Sequence, residues 1–171
     1  MYALRNNRMT WALCRIEQLG LHEHERLKAV RLRALEQAPA AFGTKLADAV
    51  TWSTPTWSEQ LEQMITFVAV RSTTDVGLVR CVLHPEADTA SLISLWVAPE
   101  ARGVGVAGQL IQRVLDCAHG HKVGRVVLDV VETNAPAIAL YRKHGFVPNG
   151  ERIVFPESCR GVAEQQFELL L

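Results

Sequence analysis

Apolar and polar residues along this chain follow two rhythms, one near period two and one near period 3.6, and the changes between them outline its elements. Residues 11–16 read as a first strand. Residues 22–38 follow the helical rhythm, with Leu27, Val30, Leu32, Ala34 and Leu35 at the apolar positions and Pro39 as the stop. The stretch 38–45 contains Pro39 and Gly43 and reads as a loop. A second helix is predicted over 56–64, with Ser53 and Thr54 as caps and Pro55 near its first turn. Residues 65–71 and 76–83 predict a hairpin around a turn at 72–75. After a turn at 85–88, a further strand is predicted over 90–97. Then follow a helix over 105–119, a strand over 125–131 and a helix over 135–144 closed by Gly145. Residues 151–155 and 162–170 read as a final hairpin.

This order predicts an α/β domain with one mixed, mostly antiparallel sheet. The strands at 90–97 and 125–131 form a central parallel pair flanked by helices, because a crossover helix joins them. The domain is expected over 9–171. Residues 1–8 follow neither rhythm and read as a flexible extension, with Met9 as an alternative start.

Composition narrows the partners. Eighteen basic and eighteen acidic side chains in 171 residues give a formal net charge of zero, which offers nothing toward a nucleic-acid or membrane-surface role. No apolar run approaches the ~20 residues that span a bilayer. Cys14, Cys81, Cys117 and Cys159 form no C-x-x-C pair and read as reduced thiols, which points to a cytoplasmic protein.

Chemistry concentrates at Val97-Ala98-Pro99-Glu100-Ala101-Arg102-Gly103-Val104-Gly105-Val106-Ala107, between a predicted strand and a predicted helix. Gly103 and Gly105 remove side chains where the backbone turns and where a ligand approaches it. The first turn of the helix behind them presents unpaired N–H groups and the positive end of its dipole. Arg102 adds a fixed charge, so the segment is suited to a phosphate or pyrophosphate. It is not a nucleotide P-loop, since G-x-x-x-x-G-K-[ST] is missing. Gly103, Gly105 and Gly108 do stand at the G-x-G-x-x-G spacing, but no clear ribose-binding acid follows at the end of the next strand with a Rossmann repeat around it, so the segment does not read as a dinucleotide site. Two glycines closing a tight turn is the plainer reading; the arginine, the strand before and the helix after argue beyond it.

On these residues the chain resembles the GNAT superfamily of N-acyltransferases. The family's loop pattern after V-x-P is met by Val97, Pro99, Arg102, Gly105 and Ala107. A second family motif, N-x-x-A-x-x-L-Y-x-x-x-G-F, is met by Asn134, Ala137, Leu140, Tyr141, Gly145 and Phe146. Val104 departs from the loop pattern, where a basic or polar residue is usual. The resemblance implies a GNAT-like fold and direct transfer of an acyl group from acyl-CoA, with acetyl-CoA as the first-choice donor, to an amine of a small molecule or peptide. No metal is implied, and a homodimer is one arrangement the family uses. By the same resemblance, Leu95, Trp96 and Val97 supply backbone groups to the thioester carbonyl and pantetheine, residues 102–107 hold the pyrophosphate, Asn134 holds the pantetheine arm, and Ala137 and Tyr141 also belong to the cofactor site.

The chemistry requires a polarised carbonyl, a neutral amine and a proton for the departing thiolate. Tyr141 in that motif is expected to be the general acid; outside it, a packed aromatic would be the reading. Asp129 and Glu132, near the end of one predicted strand, are the candidate bases; Ser94 could organise a water instead, and a water relay would replace either. Asn134 also reads as a plain helix cap before Pro136. Phe42, Trp52 and Trp57 are candidates for the acceptor wall, or for a packing cluster under a loop, and Glu36, Asp48 and Glu59 are nearby acids. His22-x-His24 and His119-x-His121 point apart at helical spacing and are not expected to bind metal. A donor other than acetyl-CoA, or a CoA sensor without turnover, fits the same residues.

Overall fold

The structure is a computed structural model that describes residues 14–155 and 161–171. The elements in chain order are strand β1 (Arg15–Gln18), helix α1 (His24–Gln37), the short helix α2 (Leu46–Ala49), α3 (Thr54–Gln63), β2 (Ile65–Arg71), β3 (Thr74–His84), β4 (Thr89–Val97), α4 (Val106–Gly120), β5 (Arg125–Val131), α5 (Ala135–Lys143), β6 (Val147–Val154) and β7 (Ala163–Leu170). One seven-stranded sheet runs in the order β1-β2-β3-β4-β5-β7-β6. β4 and β5 are parallel, while β1 with β2, β5 with β7 and β6 with β7 are antiparallel. The expected open mixed sheet around a parallel pair is the observed one.

Most expected boundaries hold within two residues. The strand expected over 11–16 falls partly outside the described residues; the strand described there is Arg15–Gln18. The first turn of α3 is held by Ser53, whose hydroxyl accepts the Thr56 N–H at 3.4 Å, with Pro55 in that turn. Helix α2 lies in the segment before α3 for which no element was expected. β6 starts at Val147, well before the expected 151, and its pairing with β7 shifts register between Pro148 and Arg152.

Among the described residues the chain forms two compact units, 14–80 with 94–113, and 81–93 with 114–155 and 161–171. In the first, α1 buries Leu27, Val30, Arg31, Ala34 and Leu35. Leu32, expected in that stripe, is only half-buried, and Arg31 holds the core position instead. A Cβ at Gly77 of β3 would stand 3.0 Å from Leu110 Cδ1 of α4 and 3.2 Å from Ala69 Cβ of β2, so glycine there lets the helix lie close on the sheet. In the second unit, Phe167 of β7 is fully buried and Arg142 of α5 lies over its ring at 5.9 Å.

Candidate active site

The glycine loop is built as a fixed turn. At its start the Ala98 N–H donates to the Val76 carbonyl at 2.8 Å, and the Ala101 N–H to the Ala98 carbonyl at 2.8 Å. Ala98, Ala101 and Val106 are buried, while residues 102–105 are exposed. Gly103 and Gly105 have φ of 77° and 90°, the left-handed region that glycine adopts without strain. A Cβ at either would meet nothing within 4 Å, so their exposed backbone faces open space. The Gln109 N–H closes on the Gly105 carbonyl at 3.1 Å, which leaves the N–H groups of the preceding turn without helical acceptors. Three arginines belong to this region. Arg102 Nε donates to the Val97 carbonyl at 2.9 Å, Arg71 Nη1 donates to the Glu100 carbonyl at 3.2 Å, and Arg33 pairs with the Glu100 carboxylate. A hydrogen bond from its own backbone, followed by the Arg33 guanidinium, holds that carboxyl below the usual range.

β4 leading into the loop has two features that the residue pattern does not show. Its ladder with β5 covers Thr89↔Arg125, Ala90↔Val126 and Ser91↔Val127, yet β4 continues to Val97 and β5 to Val131. Main-chain groups beyond that ladder must be satisfied some other way. Within the continuation Ser94 has φ of 58°, a left-handed residue inside a strand, which breaks the alternation so that Trp96 and Val97 are both buried in succession. Strain of this kind concentrates at functional sites.

Asn134 caps α5, its Oδ1 accepting the Ala137 N–H at 3.2 Å. The cap occupies the acceptor half of the amide and leaves its Nδ2 donors for a ligand. Tyr141 is 7% exposed and packs edge-on to Phe146 at 6.0 Å between ring centroids. Burial pushes its phenol up to about 12, so the proton stays on it across the neutral range. Asp129 Oδ1 accepts from Gln166 Nε2 at 3.1 Å. Both oxygens of Glu132 accept from Arg152, at 2.6 and 3.0 Å, and that pairing lowers its carboxyl from the usual value.

Trp52 and Trp57 stand 4.9 Å apart, with Trp57 fully buried, and Phe42 packs on the Arg31 guanidinium at 4.4 Å. The acids Glu36, Asp48 and Glu59 are all exposed. Among the described residues the charged groups inside are Arg31 and Arg80, at 4% and 3% exposure, which the sequence reading missed. A signal was available: Arg31 completes the i, i+3, i+4, i+7 stripe of Leu27, Val30 and Ala34, and Arg80 interrupts an apolar run in β3. Among the described residues no group of three or more His, Cys, Asp or Glu side chains stands as a metal site, and no helix is long and apolar enough to cross a membrane.

The family model for the acetyltransferase (GNAT) family matches residues 27–146. The chain belongs to this family. GNAT acetyltransferases of known structure share its fold. A GNAT-family acetyltransferase from Streptococcus pneumoniae superposes with a TM-score of 0.78 at 17% identity, covering 93% of this chain and 99% of that one. The spermidine N-acetyltransferase of Vibrio cholerae, solved with CoA and spermine, gives 0.73 at 20% identity, covering 92% and 95%. By sequence, the N-acetylaspartate synthetase of Rattus norvegicus is 34% identical over 103 residues, which span 59% of this chain and 34% of that protein. The IAA acetyltransferase of Azospirillum brasilense is 34% identical over 83 residues, 48% of this chain and 54% of that one. The GNAT domain thus matches only part of each of these two relatives.

Proposed function

We propose that this GNAT protein moves an acetyl group from acetyl-CoA to a primary amine by direct transfer in a ternary complex. The observation that carries the reading is the turn at 102–105, where two left-handed glycines present bare backbone beside Arg102 and the open first turn of α4. That combination suits the pyrophosphate of CoA.

Each residue has a role under this reading. The loop binds the pyrophosphate, and Asn134 donates from Nδ2 to the pantetheine arm. Backbone N–H groups of β4 past Ser91 polarise the thioester carbonyl. The amine attacks the carbonyl carbon, a C–N bond forms, and collapse of the tetrahedral adduct breaks the C–S bond. The Tyr141 hydroxyl gives its proton to the departing sulfur, and the amine's proton leaves through a base or water and restores the phenol. Glu132 is held in its ion pair with Arg152, so Asp129 or a water organised by Ser94 is the base carried forward. The loop reads the CoA end of the donor and not the acyl end. The similar proteins carry names for unlike acceptors, N-acetylaspartate synthetase and spermidine N-acetyltransferase among them, and do not choose one for this chain.

The experiment is thiol release from acetyl-CoA across an amine panel of amino acids, polyamines, aminoglycosides, arylalkylamines and peptides. Acceleration by one class supports transfer and names the acceptor. Tight acetyl-CoA binding with no amine accelerating release would favour a CoA sensor, and release only from a longer acyl-CoA would correct the donor.

A further inference from the structure

Among the described residues, the buried side-chain polar atoms without a hydrogen-bond partner are Arg31 Nε and Nη1, Arg80 Nε, Trp57 Nε1 and Trp96 Nε1. Every one is an N–H donor. Native interiors satisfy nearly all such groups, and a buried set that is donors only asks for acceptors.

Two of these side chains are also charged. Arg80 Nη2 donates to the neutral Gln60 amide oxygen at 2.6 Å, and Arg31 has the face of Phe42. No carboxylate pairs with either guanidinium among the described residues. Burial lowers the proton affinity of both, and for Arg80 the charge of Arg31 adds to that, so two like charges bear on each other inside the unit. Guanidinium stays protonated even so. A trapped water would satisfy an indole N–H, but it would not neutralise two buried cations.

We propose that Arg31 and Arg80, with Gln60 beside them, bind a carboxylate of the acceptor, so that the amine acetylated by this protein belongs to an amino acid or another carboxylated amine. The proposal rests on the acyl-transfer reading for the word acceptor, and on the unpaired arginines for the anion. The pieces fit that chemistry: two guanidinium groups give bidentate donors to a carboxylate. Trp57, one turn before Gln60 on α3, has an unpartnered N–H of its own. The donors are enclosed, so an anion reaches them when a neighbour moves aside; the Phe42 ring is the group stacked on Arg31.

The test uses matched pairs that differ by their one carboxylate: phenylalanine with phenethylamine, tryptophan with tryptamine, and lysine with cadaverine. Binding to the full chain with CoA present is measured by calorimetry, and thiol release from acetyl-CoA is followed alongside. The expected result is binding of at least one carboxylated member and binding about 30-fold weaker or worse for its decarboxylated partner. Arg80→Met is expected to abolish that preference and leave acetyl-CoA binding unchanged. Without ligand, Arg31→Met and Arg80→Met are expected to melt no lower than the parent, because each removes an uncompensated buried charge. A carboxylate preference without thiol release from acetyl-CoA would count against acetyl transfer to these amines and leave the anion site standing. Equal binding within every pair, or no binding by any carboxylated member, would overturn the proposal, and that comparison needs no variant. Acetate and sulfate serve as free anions: binding of these that depends on Arg80, with no preference within the pairs, would likewise overturn the assignment to the acceptor.

Discussion

Arg102 Nε donates to the Val97 carbonyl at 2.9 Å, five positions back along the chain. One side chain thereby ties the end of β4 to the glycine turn and carries the turn's own positive charge. Arg102→Ala is expected to weaken acetyl-CoA binding by about 10- to 100-fold, since a charged hydrogen-bonding group and a loop tether are both lost. Arg102→Lys should recover part of that loss through charge alone. Calorimetric titration of the two variants with acetyl-CoA checks both values.

Gly105 has φ of 90° with open space where a Cβ would stand, so alanine there is strained without clashing. Gly105→Ala is expected to cost about 1–2 kcal/mol of stability. For a chain of this size that lowers the melting temperature by about 2–8 °C. Under the phosphate-loop reading the loss of acetyl-CoA affinity exceeds the loss of stability, because the added methyl faces the ligand. Melting curves and titrations on the same sample separate the two effects.

Tyr141→Phe should lower kcat by about 100-fold or more and lower acetyl-CoA binding far less. The pH dependence follows from its buried phenol. With the folded value raised to about 12 from an ordinary 10, folding favours the protonated form. Its contribution to stability is full below pH 10 and is lost as pH rises toward 12. Activity should therefore climb with pH as the amine loses its proton, with no fall from Tyr141 below pH 10. A descending limb centred near pH 8 would remove Tyr141 as the acid.

Much of this architecture was legible because periodicity and punctuation agreed. β5 is bounded as its apolar run suggested, and α5 starts at the cap Asn134 and ends before Gly145, whose φ of 89° requires a glycine-like residue. What was missed has physical causes. α2 is one turn long and leaves no periodic trace. β6 begins in Val147-Pro148-Asn149-Gly150, where proline, asparagine and glycine are poor strand formers, and it is held by long-range pairing with β7. The left-handed Ser94 sits in an apolar strand where alternation is already weak. Arg31 was passed over because an arginine on a helix is normally placed in solvent, and Leu32 was counted in its stead.

Glu132 accepts from Arg152 through both oxygens and stands half-buried just past the end of β5. Its lowered carboxyl makes it a poor proton acceptor near neutral pH. Glu132→Gln is expected to leave kcat/KM within about two-fold, the range of a lost surface pair. Asp129→Asn should have the larger effect if that carboxylate is the base, and steady-state kinetics on the two variants rank them.

The most direct test of acetyl transfer is the fate of a labelled acetyl group. The protein is incubated with acetyl-CoA labelled in the acetyl carbons and with the accelerating amine, and the products are weighed by mass spectrometry while free thiol is counted. The account predicts one labelled acetyl on the amine nitrogen for each thiol released, with no label left on the protein. Thiol release without acetylated amine, or a labelled protein that forms as an intermediate, would contradict it.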